Sequence, residues 1–74
     1  MFSKYSILLS IVFIGTVDRI IGEVTTAELT GPSLTQPVQV DFYTAMFPCA
    51  IEEGDLFYIH IVDGVTEIRC GEPD

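Results

Sequence analysis

The stretch Leu56–Cys70, LFYIHIVDGVTEIRC, decides the fold class. Two runs rich in β-branched and aromatic residues flank Asp63-Gly64. A two-residue type I′ turn needs positive φ at both central residues. Asp tolerates that and Gly adopts it freely, so an Asp-Gly pair between such runs predicts a hairpin. The loop then sets the cross-strand pairs Val62/Val65, Ile61/Thr66, Ile59/Ile68 and Phe57/Cys70. Side chains alternate between faces. One face therefore collects Phe57, Ile59, Ile61, Thr66, Ile68 and Cys70. The other carries Tyr58, His60, Val62, Val65, Glu67 and Arg69. On that polar face His60 lies opposite Glu67, which predicts an ion pair, and Tyr58 lies opposite Arg69, which predicts a cation–π contact. A slip of one residue would turn the apolar set outward, so burial of one face fixes the register.

Upstream, Pro48–Asp55 (PCAIEEGD) predicts a turn at 52–55 around Gly54. Val38–Phe47 (VQVDFYTAMF) alternates at its start, with Val38, Val40 and Phe42 on one side and Gln39, Asp41 and Tyr43 on the other. That is the pattern of a half-buried strand, which bends over its TAMF end. Pro37 suits the first position of such a strand and Pro48 ends it. The expected fold is mainly β: a small antiparallel sheet with strands near 38–47, 56–62 and 65–70, joined as a meander because consecutive strands usually pair.

Cys49 and Cys70 are the only cysteines. An even pair in an exported chain predicts a disulfide. It closes a loop of about 20 residues, worth about 3 kcal/mol in the chain-entropy picture. A flat meander opposes the bond. Two strand spacings of roughly 4.8 Å would separate the cysteines, and a disulfide needs Cα atoms within about 7 Å. Either Pro48-Cys49 folds over the apolar face toward Cys70, or the first of these strands is not adjacent to the second, or the cysteines bond to other chains.

The N-terminal segment 1–22, MFSKYSILLSIVFIGTVDRIIG, places Lys4 ahead of a 13-residue apolar run, Tyr5–Val17. The run fits the apolar region of a signal peptide and falls short of the roughly 20 residues of a membrane-spanning helix. The expectation is a helical signal segment, removed after Gly22 or, as a second candidate, after Ala27, although Asp18 and Arg19 are unusual so close to a cleavage site. Residues 23–37, EVTTAELTGPSLTQP, read as an extended or flexible lead-in with a turn at Gly31-Pro32 and room for a short edge strand over Val24–Leu29. Residues 38–74 form the small disulfide-stapled β domain. A chain this short buries a small core and depends on such a staple.

The 74-residue chain has a net charge of −8, with Lys4, Arg19 and Arg69 its only fixed cations. Glu23–Asp74 taken alone holds ten acids and one arginine, for −9. A chain so acidic excludes nucleic-acid binding and attraction to anionic membranes, and it favours cationic partners. His60 with Glu67 is the one acid–base pair, and no nucleophile or third orienting group accompanies it. One His, two bridged cysteines and scattered acids do not make a metal-ligand set. The chain therefore reads as non-enzymatic, with no cofactor and no metal. Its functional residues are the open face of the sheet: Tyr43, Tyr58, His60, Val62, Val65, Glu67 and Arg69, an aromatic–aliphatic patch rimmed by acids. The function expected is that of a small, secreted, acidic interaction peptide of the venom, salivary or defence type. It would act through its hairpin face on an extracellular protein or receptor, without membrane insertion after signal cleavage. The alternative is a truncated fragment of a larger secreted or ER-luminal β-sandwich ectodomain.

Overall fold

The computed structural model describes residues 10–73. They form one antiparallel sheet of five strands: β1 (Ser10–Ile21), β2 (Val24–Thr30), β3 (Val38–Tyr43), β4 (Leu56–Val62) and β5 (Val65–Cys70), in the order β3-β2-β1-β4-β5. The first three strands run as a meander. The chain then leaves the outer edge at β3 and returns to pair beside β1. This is Greek-key order, to which β5 adds a further strand by a hairpin.

That hairpin has the pairing its sequence dictates, from Val62↔Val65 through Phe57↔Cys70. Asp63 and Gly64 take φ of 55° and 80°, the two positive values of a type I′ turn. A second tight turn joins β1 to β2 at Gly22-Glu23. Gly22 there has φ of 58°, the value that the first central residue of a type II′ turn requires.

The N-terminal expectation needs correction. Ser10–Ile21 is not helical but forms the central strand, paired to β2 on one side and to β4 on the other. Residues 1–9 of the expected signal segment lie outside the described residues. The segment is ambiguous for a physical reason. A central strand is flanked by paired neighbours, and a continuous apolar run suits it as well as it suits a buried helix. Val24–Thr30 is likewise neither an edge strand nor a flexible arm, because β1 and β3 pair with it on both sides. β3 ends at Tyr43, and Thr44–Met46 make a single 3-10 turn where the alternation fails.

One bulge sets which side chains of β1 point inward. Val17 pairs with Ala27 and Arg19 with Thr26, leaving Asp18 as the extra residue. The insertion reverses the alternation. Ile20 therefore returns to the inner face opposite Thr25, and Arg19 turns outward.

The core lies on the inner face and is built from Val17, Ala27, Leu29, Phe47, Phe57 and Ile59. The lid is not a second sheet. Leu34 from the β2–β3 loop, and Phe47 and Ile51 from the β3–β4 crossover, pack down on it. Phe47 meets Phe57 at 5.0 Å and Phe42 at 5.8 Å, and Phe42 meets Phe57 at 5.9 Å, all edge to face. Such pairs add about 0.5–1.5 kcal/mol each beyond their area. Phe57 has room because its cross-strand neighbour on β1 is Gly15. A Cβ on Gly15 would lie 2.2 Å from the Phe57 Cζ.

The crossover is tied down at several points, among them the Gly54 N–H donating to the Val17 carbonyl at 2.8 Å. Thr44 donates its N–H to the Glu23 carbonyl at 2.8 Å. Asp55 caps the 52–55 turn, its carboxylate accepting from the Glu52 N–H at 2.8 Å, and Gly54 there has φ of 93°. Cys49 is joined to Cys70 with Cα atoms 6.5 Å apart. The disulfide is thus reconciled with the sheet by two of the routes open to it. β3 is not adjacent to β4, and Pro48-Cys49 crosses the inner face to reach β5.

Candidate functional site

The outer face of the sheet has no covering layer among the described residues. Its β1–β4–β5 half is a grid set by the two registers. Ser10, Val62 and Val65 make the first row, Val12, His60 and Glu67 the second, and Ile14, Tyr58 and Arg69 the third. Six of the seven residues expected to form the site, Tyr58, His60, Val62, Val65, Glu67 and Arg69, share this half-face. The apolar members are Val12, Ile14, Val62 and the body of Tyr58, all half-buried, with Val65 more exposed at 63%.

Tyr43 is not part of this patch. It faces outward from β3, opposite Val24, which in turn pairs with Ile21. Tyr58 pairs with Ile14, seven positions earlier along β1. Three strand spacings, roughly 14 Å, also separate the two tyrosines across the sheet. Tyr43 is 69% exposed and stands over a shallow, open hollow lined by Val24, Asp41, Phe42 and Met46.

The polar contacts differ from those the sequence suggests. Glu67 does not take His60. Its carboxylate accepts from the Arg69 guanidinium at 2.8 Å, on the same strand two residues on. Arg69 has the longer reach and a permanent charge. Glu67, and secondarily the neighbouring Tyr58, hold Arg69 even more firmly in its charged form than an isolated arginine. His60 instead lies with its Nε2 3.0 Å from the Ser10 hydroxyl. Among the described residues no carboxylate hydrogen-bonds the His60 ring, because Glu67 is taken by Arg69. Among the described residues, no three His, Cys, Asp or Glu side chains converge on a point that could hold a metal ion.

The other half of the outer face is acidic. Asp18 at the bulge, Glu28 and Asp41 lie across β1, β2 and β3. Asp41 accepts from the Thr26 hydroxyl at 2.8 Å, and Asp18 from the Gln39 amide at 3.4 Å. Among the described residues, Arg19 is the one basic side chain on that side. The outer face is thus divided into an aromatic–aliphatic half with one balanced ion pair and a half dominated by carboxylates.

Sequence reasoning missed Ser10, Val12 and Ile14, a third of the grid. A signal for them was present in Ile21-Gly22-Glu23-Val24, a glycine turn between β-rich runs that mirrors Asp63-Gly64. Compared with protein-family models, with characterised proteins and with solved structures, the chain matches none.

Proposed function

We propose that this chain is a non-enzymatic interaction module that works outside the cell and binds an extracellular protein through the β1–β4–β5 half of its outer face. The observation that carries this reading is the grid itself. Three strands place Val12, Ile14, Tyr58, Val62 and Val65 together on a face that nothing in the described chain covers. An apolar patch beside a field of carboxylates that have no ion-pair partner among the described residues suits a partner presenting apolar and basic side chains. Export is supported by the disulfide, which is compatible with an extracellular location. Cleavage after Gly22 would remove β1 and with it the centre of the sheet, so a product with this fold retains Ser10–Ile21.

A second reading, that the chain is part of a larger secreted or ER-luminal β-sandwich, is favoured by one feature. A Greek-key sheet covered on one face and open on the other is half of a sandwich. Cooperative unfolding of the oxidised chain by itself argues against that reading.

The test immobilises the oxidised full chain and captures proteins from extracellular fluid. A Val65→Asp or Tyr58→Ser variant with unchanged circular dichroism loses the captured protein, and Tyr43→Ser keeps it. Equal capture by all four chains refutes this site.

A further inference from the structure

The two edges of the sheet are not alike. β3 presents Asp41 and Gln39 on its outer stripe, and β5 presents Glu67 and Arg69. Arg69 is the only basic side chain on either edge strand. β5 also has free main-chain groups at known positions. Val62↔Val65 closes a two-residue hairpin and Gly71 donates to the Leu56 carbonyl at 2.9 Å. Odd-numbered residues of β5 therefore turn their N–H and C=O toward β4. Thr66, Ile68 and Cys70 turn theirs toward the open edge, where no described residue pairs with them.

We propose that β5 is a homotypic docking edge: a second copy of this chain pairs its own β5 antiparallel to the first, about a two-fold axis at Ile68. In that register Ile68 faces Ile68 of the second copy as a hydrogen-bonded pair. Thr66 faces Cys70, and Cys70 faces Thr66, again as hydrogen-bonded pairs. All three free residues of each copy are satisfied. On the outer stripe Glu67 then lies opposite Arg69, and Arg69 opposite Glu67, so two complementary charge pairs form by symmetry. The neighbouring symmetric registers place Glu67 on Glu67 or Arg69 on Arg69, and like charges reject them. The disulfide leaves Cys70 from the inner face and does not lie in the plane of the added strand. Gly71, at φ of 90°, turns the tail out of line after Cys70, so pairing stops there.

Charge singles out the second copy as occupant. Two molecules of net charge −8 repel each other, and only through a stripe of zero net charge do they approach without adding like-charge contacts. The product is a ten-stranded sheet whose two aromatic–aliphatic half-faces adjoin. The pairing is short, so the dimer is weak and exchanges readily, and screening of the global repulsion at physiological salt favours it.

The experiment is sedimentation equilibrium of the oxidised full chain at 0.15 M salt over a wide concentration range, taking about 0.15 M as the physiological condition. The parent chain shows a concentration-dependent monomer–dimer equilibrium. Glu67→Arg weakens it by roughly tenfold or more, because both cross-strand pairs become repulsive. This occurs although the net charge falls to −6, which by itself would promote association. The double swap Glu67→Arg with Arg69→Glu restores dimerisation at unchanged net charge. Thr66→Pro removes an N–H that has no partner among the described residues, so it keeps the circular dichroism of the parent and loses the dimer. A chain that stays monomeric throughout overturns the proposal. So does tighter association of Glu67→Arg, a failure of the double swap to restore pairing, or a dimer indifferent to Thr66→Pro, the result expected if another surface or an unrelated peptide-binding role explains the edge.

Discussion

Gly15 is the position where the sheet and the signal-peptide reading of β1 make opposite demands. Gly15→Val places a Cβ about where the Phe57 ring now lies: 2.2 Å from Cζ and 2.5 and 2.6 Å from the two Cε atoms. Ordinary contact needs more than 3.4 Å, so the ring must retreat by over an ångström. It has nowhere to go. Phe57 is fully buried, and Phe47 and Phe42 pack edge-on against it. Overpacking of this kind costs about 1–3 kcal/mol, and expulsion of the ring forfeits about 1.5–3 kcal/mol of burial and about 0.5–1.5 kcal/mol for each aromatic contact. Val regains up to about 1 kcal/mol through strand propensity. The net expectation is a loss of about 2–4 kcal/mol, a large part of the roughly 4–11 kcal/mol that a chain of this length commands. Urea unfolding of the oxidised full chain, followed by far-ultraviolet circular dichroism, measures it. The midpoint falls sharply for Gly15→Val and by less for Gly15→Ala. An unchanged or higher midpoint refutes the reasoning. That is the outcome if the segment is an apolar leader, for which Val is a better residue than Gly.

Other consequences are smaller and equally specific. Reduction, or Cys49→Ser with Cys70→Ser, releases a 21-residue separation and lowers stability by about 3 kcal/mol, read as the shift in urea midpoint between oxidised and reduced chains; coincident curves contradict it. Thr25 is fully buried and lies 2.8 Å from the Thr44 hydroxyl, which itself donates to the Gly22 carbonyl, so Thr25 is the donor of the pair. Thr44→Val strands that buried hydroxyl and costs about 1–3 kcal/mol, whereas Thr25→Val removes it and costs less; the reverse order in thermal melts contradicts the assignment. Glu67→Gln breaks an ion pair whose two side chains are about half exposed and changes monomer stability by no more than about 0.5 kcal/mol, measured below the concentration of association. Gly64→Ala forces a side chain into φ of 80° and costs about 1–2 kcal/mol, seen as a lower melting temperature.

How legible the molecule is in its sequence depends on how local the cause of each feature is. The β4–β5 hairpin follows from Asp63-Gly64 and the flanking alternation, so its register and both of its faces can be written down from fifteen residues. The turn at 52–55 follows from Gly54 and acids able to cap it. The disulfide is legible too, as the one even pair of cysteines in a chain read as exported, and simple distances then show that a flat meander of three strands cannot hold it. The rest depends on residues far apart in sequence. Nothing local tells Ile11–Val17 that β4 and β2 will flank it, and an apolar run broken only by Thr16 has no period to betray a strand. β2 is disguised by Thr25 and Ala27, small residues that look like linker composition yet are fully buried. For the candidate site the consequence is direct. The hairpin's share of the outer face is found, Ser10, Val12 and Ile14 are missed, and Tyr43 is grouped with it although β2 and β1 lie between.

The central claim is that Ser10–Ile21 is the middle strand, paired with β4. In this register Ile14↔Tyr58 and Val12↔His60 are the close, non-hydrogen-bonded pairs, because Phe57, Ile59 and Ile61 carry the ladder bonds to β1. The decisive measurement is a nuclear Overhauser spectrum of the oxidised full chain. The account predicts Hα–Hα cross-peaks between Ile14 and Tyr58 and between Val12 and His60, with slowly exchanging amides at Phe57 and Ile59. Their absence, together with helical or random-coil shifts over residues 10–21 and rapid exchange along that edge of β4, would contradict it.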